Sequence, residues 1–311
     1  MTTGEGGAEG YGLAAAGHPG GPRGRFVEPA GVAPIWAWRA AGPPGAPHLV
    51  LLHGWQATAA LDWYGSFEAL GQDFAVTAPN LRGHGVGGRR TPPFSVEGCA
   101  DDVAALITTF GAVPVIAVGY SMGGAVAQVL GRKHPELLRG MVLCATAASF
   151  AKKFSARPLV RALGGGAARA MRSRPAPSDA LLRWQLRRHS GRGDAPGWAL
   201  AERAQSELAA FIEAAVALNS YDSTPWLAEL DVPTAVVVTT HDRVLAPERQ
   251  VAMARLLPGA RLYWVGAGHD AAARGTDLFV PVLAQACMDM AGSSLTARGR
   301  PAEEQAWRAG G

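Results

Sequence analysis

The stretch Gly119-Tyr120-Ser121-Met122-Gly123 sets a serine between glycines two positions away on each side. A serine hydroxyl is a weak nucleophile near neutral pH. It needs a base to take its proton and a third group to orient that base. Later in the chain stand Asp242 and then His269, and both complete such a set. His269 would take the Ser121 proton and return it to the leaving group. Asp242 would hold the imidazole tautomer and stabilise the imidazolium. A tetrahedral oxyanion would need backbone donors, and the N–H groups of Trp55 and Met122 are the candidates.

The elements around these residues support that chemistry. Val115 to Val118 is an apolar run the length of one buried strand, and Ala125 to Leu130 reads as a helix. Strand, Gly-x-Ser-x-Gly and helix form a nucleophile elbow, a turn tight enough to require glycine at 119 and 123. The helix N-terminus behind Ser121 adds N–H donors and a positive dipole end. Thr234 to Thr239 and Leu262 to Val265 read as buried strands, and Asp242 and His269 fall just past their C-terminal ends. His48 to Leu52 is the first fully buried strand and runs into His53-Gly54-Trp55-Gln56. In a parallel sheet these ends are where ligands bind.

Other residues there have plainer readings. His53 and His84 are expected to order loops. His241 precedes the acid, and Asp270 directly follows the histidine; neither faces the base. The segment from Pro79 to Gly88 is glycine-rich, but it has no Gly-Lys-Ser/Thr and no helix pattern starts on its final glycines, against a phosphate loop. Arg25 to Glu28 and Ile35 to Trp38 predict an opening hairpin. Helices are expected over Leu61–Leu70, Ser95–Thr109, Glu248–Leu257 and 276–290.

The region from 147 to 222 breaks the strand–helix alternation and predicts a helical cap over the ligand end of the sheet. Its first half is rich in basic residues and is interrupted by Gly164-Gly165-Gly166 and Pro175-Ala176-Pro177. Trp198 to Leu218 carries apolar residues at helical spacing and predicts one amphipathic helix walling an acyl pocket. The cap's arginines predict a solvated face, or contact with an anionic surface. This divides the chain into a tail (1–24), core (25–146), cap (147–222), core (223–291) and tail (292–311). The first tail is expected to be disordered and the last to be loose and flexible.

Composition narrows the classes. With 48% hydrophobic and 17% charged residues the chain is globular, and a net charge of +4 does not by itself indicate nucleic acid. No zinc-type cysteine pairing or RNA-binding aromatic motif is present, so no metal or nucleic-acid partner is expected. The three cysteines, Cys99, Cys144 and Cys287, are widely spaced and predict buried free thiols in a reducing compartment. No signal peptide or membrane-spanning run is seen, which predicts a cytoplasmic protein.

The chain resembles the α/β-hydrolase superfamily, in its serine esterase and lipase-like branch with a helical cap. The matching pieces are Leu52-His53-Gly54-Trp55, Arg82-Gly83-His84-Gly85, Gly119 to Gly124, Asp242 to Pro247 and Gly268-His269, in family order. The resemblance implies an eight-stranded, mostly parallel α/β sheet with one antiparallel strand near its start. It also implies a cofactor-free mechanism through an acyl-enzyme. Asn80 departs from the pattern, since many relatives carry Asp there. The expected activity is hydrolysis of a carboxylic ester with an apolar acyl group. Carbon–carbon bond hydrolases, lactonases, perhydrolases and acyltransferases share the same apparatus. A ligand-binding protein on this fold is the alternative of another class. An aspartate nucleophile is excluded because position 121 is serine.

Overall fold

The computed structural model of the protein describes residues 23–87, 92–111, 114–150, 157–173 and 197–292. Its centre is an eight-stranded sheet. The strands are β1 (Arg23–Val27), β2 (Ile35–Ala40), β3 (His48–Leu52), β4 (Ala75–Pro79), β5 (Val115–Tyr120), β6 (Leu138–Cys144), β7 (Thr234–Thr239) and β8 (Arg261–Val265). They lie in the order β1-β2-β4-β3-β5-β6-β7-β8. Only β2 runs against its neighbours, β1 and β4; the other pairs are parallel. This is the mostly parallel sheet with one early antiparallel strand that the resemblance implies.

The central strands β3 and β5 are buried along their whole length because both faces are covered. Leu49 and Leu51 of β3 enter one core, with Ile116 and Val118 of β5. Val50 and Leu52 enter the other, with Val115 and Ala117. The first core is closed by α1 (Ala59–Trp63), α2 (Phe67–Gly71), α9 (Ala271–Arg274) and α10 (Thr276–Gly292). The second is closed by α3 (Val96–Phe110), α4 (Met122–Lys133) and α8 (Pro247–Leu256). Ser95 caps α3, its side chain accepting the Gly98 N–H at 3.0 Å. All three cysteines are buried free thiols, and burial raises their pKa values, Cys99 to about 12.

Between β6 and β7 the described residues add α5 (Arg157–Ser173), α6 (Gly197–Arg203) and α7 (Leu208–Ser220). Ser149 and Asp222 pair in an isolated antiparallel bridge at the base of this insertion. Three expectations need correction. The helix expected over Leu61–Leu70 is two short ones, α1 and α2. Gly65, at the break, has no room for a side chain, since a Cβ there would lie 2.6 Å from Thr276 Cγ2. The helix expected over Trp198–Leu218 is α6 and α7. Its break is tied to the glycine-rich loop: Gly85 N–H donates to Ser206 Oγ at 2.8 Å, and Glu207 N–H donates to Gly83 O at 2.9 Å.

The third correction concerns Gly164-Gly165-Gly166, which do not interrupt α5. A Cβ on Gly164 would lie 2.5 Å from Val216 Cγ2, so glycine lets α5 approach α7 closely. Arg172 of α5 is not part of a free basic face either. It pairs with Glu207 at 3.1 Å and Glu213 at 2.7 Å, joining α5 to α7. The breaks expected at Pro175-Ala176-Pro177, and Lys152, Lys153, Arg174, Arg183, Arg187, Arg188 and Arg192, lie outside the described residues. The tails expected over 1–24 and 292–311 also fall outside them, except that Arg23 and Gly24 belong to β1 and Gly292 ends α10.

Neighbouring glycines of α5 should respond oppositely to substitution. Gly164→Leu should wedge α5 from α7 and lower the melting temperature. Gly165→Ala, where a Cβ meets nothing within 4 Å, should gain about 1 kcal/mol from helix propensity. Thermal and urea unfolding of the two variants would check this.

Candidate active site

Ser121 sits between β5 and α4 with φ of 51° and ψ of −112°. A non-glycine residue held there costs on the order of 1–3 kcal/mol, so its surroundings must enforce it. They do so by close approach. A Cβ on Gly119 would lie 2.4 Å from Gly123 O, and one on Gly123 would lie 2.1 Å from Leu52 O. Ser121 N–H donates to Cys144 O at 2.9 Å, and Thr146 Oγ1–H donates to Ser121 O at 2.8 Å.

The loops after β7 and β8 bring the other two groups to the same edge. They are joined by Thr240 N–H to Val265 O at 2.9 Å and His241 N–H to Ala267 O at 3.0 Å. His269 Nδ1–H donates to Asp242 Oδ2 at 2.7 Å. Because a carboxylate only accepts, the ring proton stands on Nδ1 and leaves Nε2 with its lone pair. Ser121 Oγ–H lies 3.0 Å from Nε2 and donates to it. A base so placed can take the hydroxyl proton as the oxygen attacks a carbonyl carbon. Tyr120 O–H donates to His269 O at 2.9 Å and pins the histidine's own backbone.

Asp242 is buried and fully engaged. Oδ1 accepts Val244 N–H and Leu245 N–H, both at 2.8 Å, and Oδ2 also accepts Thr239 Oγ1–H at 2.9 Å. Gln250 Nε2 donates to Thr239 Oγ1 at 2.9 Å and to Leu245 O at 2.7 Å, holding this shell together. Burial works against the Asp242 charge. The bonds from His269, Leu245 and Thr239 outweigh it and hold the carboxyl below the ordinary aspartate range.

The loop after β3 completes the edge. The Trp55 and Met122 backbone N–H groups have no acceptor among the described residues. Gly54 N–H donates to Asp62 Oδ2 at 2.7 Å. Gly54 C=O accepts His53 Nδ1–H at 2.9 Å and Ala57 N–H at 3.3 Å. His53 Nε2 accepts Leu81 N–H at 3.0 Å. Burial and the neighbouring His84 push the His53 imidazole down to about 3, so it stays neutral and braces two loops. His84 donates from Nδ1 to Arg82 O at 2.8 Å and also orders its loop. Asn80, the departure from the family pattern, accepts Ala59 N–H at 3.0 Å and so ties its loop to α1. Asp270 is exposed and lies 3.8 Å from Arg274, away from the histidine ring's partners.

Four contributors lay beyond the sequence reading: Asp62, Tyr120, Thr239 and Gln250. Tyr120 stood in plain view inside the elbow. The other three belong to no motif and become visible only when helices and loops are assembled.

A family model described as the alpha/beta hydrolase fold matches residues 47–273. The chain belongs to the α/β-hydrolase family. A pimeloyl-[acyl-carrier protein] methyl ester esterase of Neisseria meningitidis is 31% identical over 226 residues, 71% of this chain and 85% of that protein. One of the same name from Chromobacterium violaceum is 30% identical over 221 residues, 61% of this chain and 84% of that protein. Among solved structures, the enol-lactonase of Burkholderia xenovorans superposes with a TM-score of 0.67 at 22% identity, over 86% of this chain and 100% of that one. Like its family, this α/β hydrolase is an enzyme. Among its described residues no helix is long and apolar enough to cross a membrane, and no His, Cys, Asp and Glu cluster would hold a metal ion.

Two buried carboxyls near Ser121, Asp62 and Asp242, carry opposite pH signatures. Burial pushes Asp62 up to about 6, against the pull of the Gly54 N–H and His269. Its raised folded value makes the ionised form a cost above pH 6, and that cost disappears as pH falls towards the unfolded value of about 4. Asp62→Asn should therefore melt higher than the parent at pH 7, with the gap closing by pH 4. Asp242 is depressed, so its contribution is present at neutral pH and lost in acid. Asp242→Asn should melt lower than the parent at pH 7, and that gap too should narrow in acid. Melting curves across pH would check both signs.

Proposed function

We propose that this α/β hydrolase cleaves a carboxylic ester through an acyl-enzyme formed on Ser121. His269 acts as general base in acylation and as general acid towards the leaving alcohol. Asp242 holds the Nδ1–H tautomer and stabilises the imidazolium. The Trp55 and Met122 N–H groups bind the oxyanion of the tetrahedral intermediate. A single such donor contributes roughly 3 kcal/mol in related chemistry. Water then attacks the acyl-enzyme by the reverse proton path, and no cofactor enters.

The observation that carries this reading is the unbroken relay from Ser121 Oγ to His269 Nε2 at 3.0 Å and from His269 Nδ1 to Asp242 Oδ2 at 2.7 Å. A protein that only bound a ligand would have no need to hold Ser121 at φ 51° against a base. Relatives named methyl ester esterases favour an oxygen ester as the scissile group. An apolar acyl group suits the aromatic side chains where the insertion meets the sheet domain. Phe211 of α7 packs on His84 with ring centres 5.2 Å apart, and its carbonyl accepts the Trp55 indole N–H at 2.9 Å.

A fluorophosphonate should add its mass to the peptide containing Ser121. The purified protein should hydrolyse nitrophenyl esters of short fatty acids. Ser121→Ala should lose both labelling and turnover while keeping its fold. Turnover by the alanine variant at the parent rate would remove this reading.

A further inference from the structure

We propose that Asp62 is a positioning residue that clamps Gly54, and through it aims the Trp55 N–H at the reacting oxygen. This rests on the ester-hydrolase reading above and adds to it a residue outside the Ser–His–Asp relay.

The Gly54 carbonyl and the Trp55 N–H belong to one planar trans unit, so they point in opposite directions. Whatever holds the carbonyl aims the N–H. His53 Nδ1–H and Ala57 N–H hold that carbonyl at 2.9 and 3.3 Å. They fix one end of Gly54 only, and glycine is the residue with the most backbone freedom to lose. The other end, Gly54 N–H, is held by Asp62 Oδ2 at 2.7 Å, the short distance of a charge-assisted bond. With both ends held, the 54–55 peptide has one orientation.

The placement of Asp62 is specific to this site. A Cβ on Gly54 would stand 3.3 Å from Asp62 Oδ2 and 3.4 Å from Ser121 Cβ. The carboxylate and the nucleophile therefore flank one glycine, which has no side chain to separate them. Asp62 is delivered there by α1, whose start is fixed by Thr58 Oγ1 accepting Leu61 N–H at 3.3 Å. The titratable groups that face it are His269 and Tyr120. On the neighbouring α6, Arg203 is engaged with Gln56 and Glu202 with Thr58. No cation among these neutralises Asp62 directly. A buried carboxylate without a cationic partner costs stability. Its retention beside Ser121 fits a site where geometry is held at the expense of stability.

The experiment is steady-state kinetics on the full chain with a short neutral nitrophenyl ester, alongside thermal melts. Asp62→Ala removes the acceptor, and kcat should fall about 10- to 100-fold with KM within about twofold, as for a misplaced oxyanion donor. Asp62→Asn keeps an acceptor for Gly54 N–H and should recover most of that loss. If the alanine variant does not fold, Asp62→Leu replaces it, keeping the volume without the acceptor. Parent-like kcat in the alanine or leucine variant overturns the proposal. So does an equal loss in the asparagine variant, or a loss confined to KM. Failure of the underlying reading looks different, because the parent protein would then show neither turnover nor fluorophosphonate labelling of Ser121.

Discussion

At residue 121 the chain passes from strand to helix through a backbone conformation that a serine adopts only under compulsion. The compulsion is spatial. Gly119 and Gly123 bring β5, α4 and the end of β3 so close that the Leu52 carbonyl occupies the place of a side chain at 123. Everything else at the site is measured from this contact. It sets the Ser121 hydroxyl above the sheet edge, leaves the Met122 N–H without an acceptor among the described residues at the start of α4, and fixes how near the β3 loop must pass. The apolar packing of β3 and β5 on both faces makes the contact stiff enough to hold that strain.

Around this point the protein treats two buried carboxyls in contrasting ways. Asp242 has every oxygen engaged, by His269, two backbone N–H groups and the Thr239 hydroxyl, and Gln250 secures that hydroxyl in turn. Its charge is therefore stabilised. Asp62 is also buried, but its support among the described residues is the Gly54 N–H and the more distant field of His269, so its charge is held at a cost. Electrostatic support is concentrated where an imidazolium would form, and rigidity is supplied where an oxyanion would form.

What could be read from the amino-acid order follows the same division. The single early antiparallel strand is what the family resemblance implies; the elbow, the opening hairpin and the strand-end Asp242 and His269 depend on residues adjacent in sequence, or on repeated strand–helix alternation. Local physics carries them. Asp62, Thr239 and Gln250 act through contacts that arise only when α1, β7 and α8 pack, and no spacing announces them. The helices of the insertion misled for a related reason. Gly164 reads locally as a breaker, yet its missing side chain is what α7 packs against. Trp198 to Leu218 reads as one amphipathic run, yet Ser206 and Glu207 turn to bond Gly85 and Gly83. In both places a tertiary contact outweighed a propensity of about 1 kcal/mol per residue.

The loop after β3 gathers these threads, because it is held from two directions. From the sheet domain come Asp62 on Gly54 N–H and His53 on Gly54 O. From the insertion come the Phe211 carbonyl on the Trp55 indole and Arg203 on the Gln56 side chain. Gln56 itself has a φ of 58°, positive like those of Ser121 and Ala145. A loop strained at Gln56 and bonded on both sides cannot shift at one anchor without loading the others. The insertion is therefore more than a cover. Through Phe211 and Arg203 it is part of the mechanical frame of the residues beside Ser121. The glycine-rich loop at 83–85 seats that insertion, since a Cβ on Gly83 would lie 2.0 Å from Ala210 Cβ. The path from Gly83 through α7 to Trp55 thus links a glycine-rich loop to the loop after β3 beside Ser121.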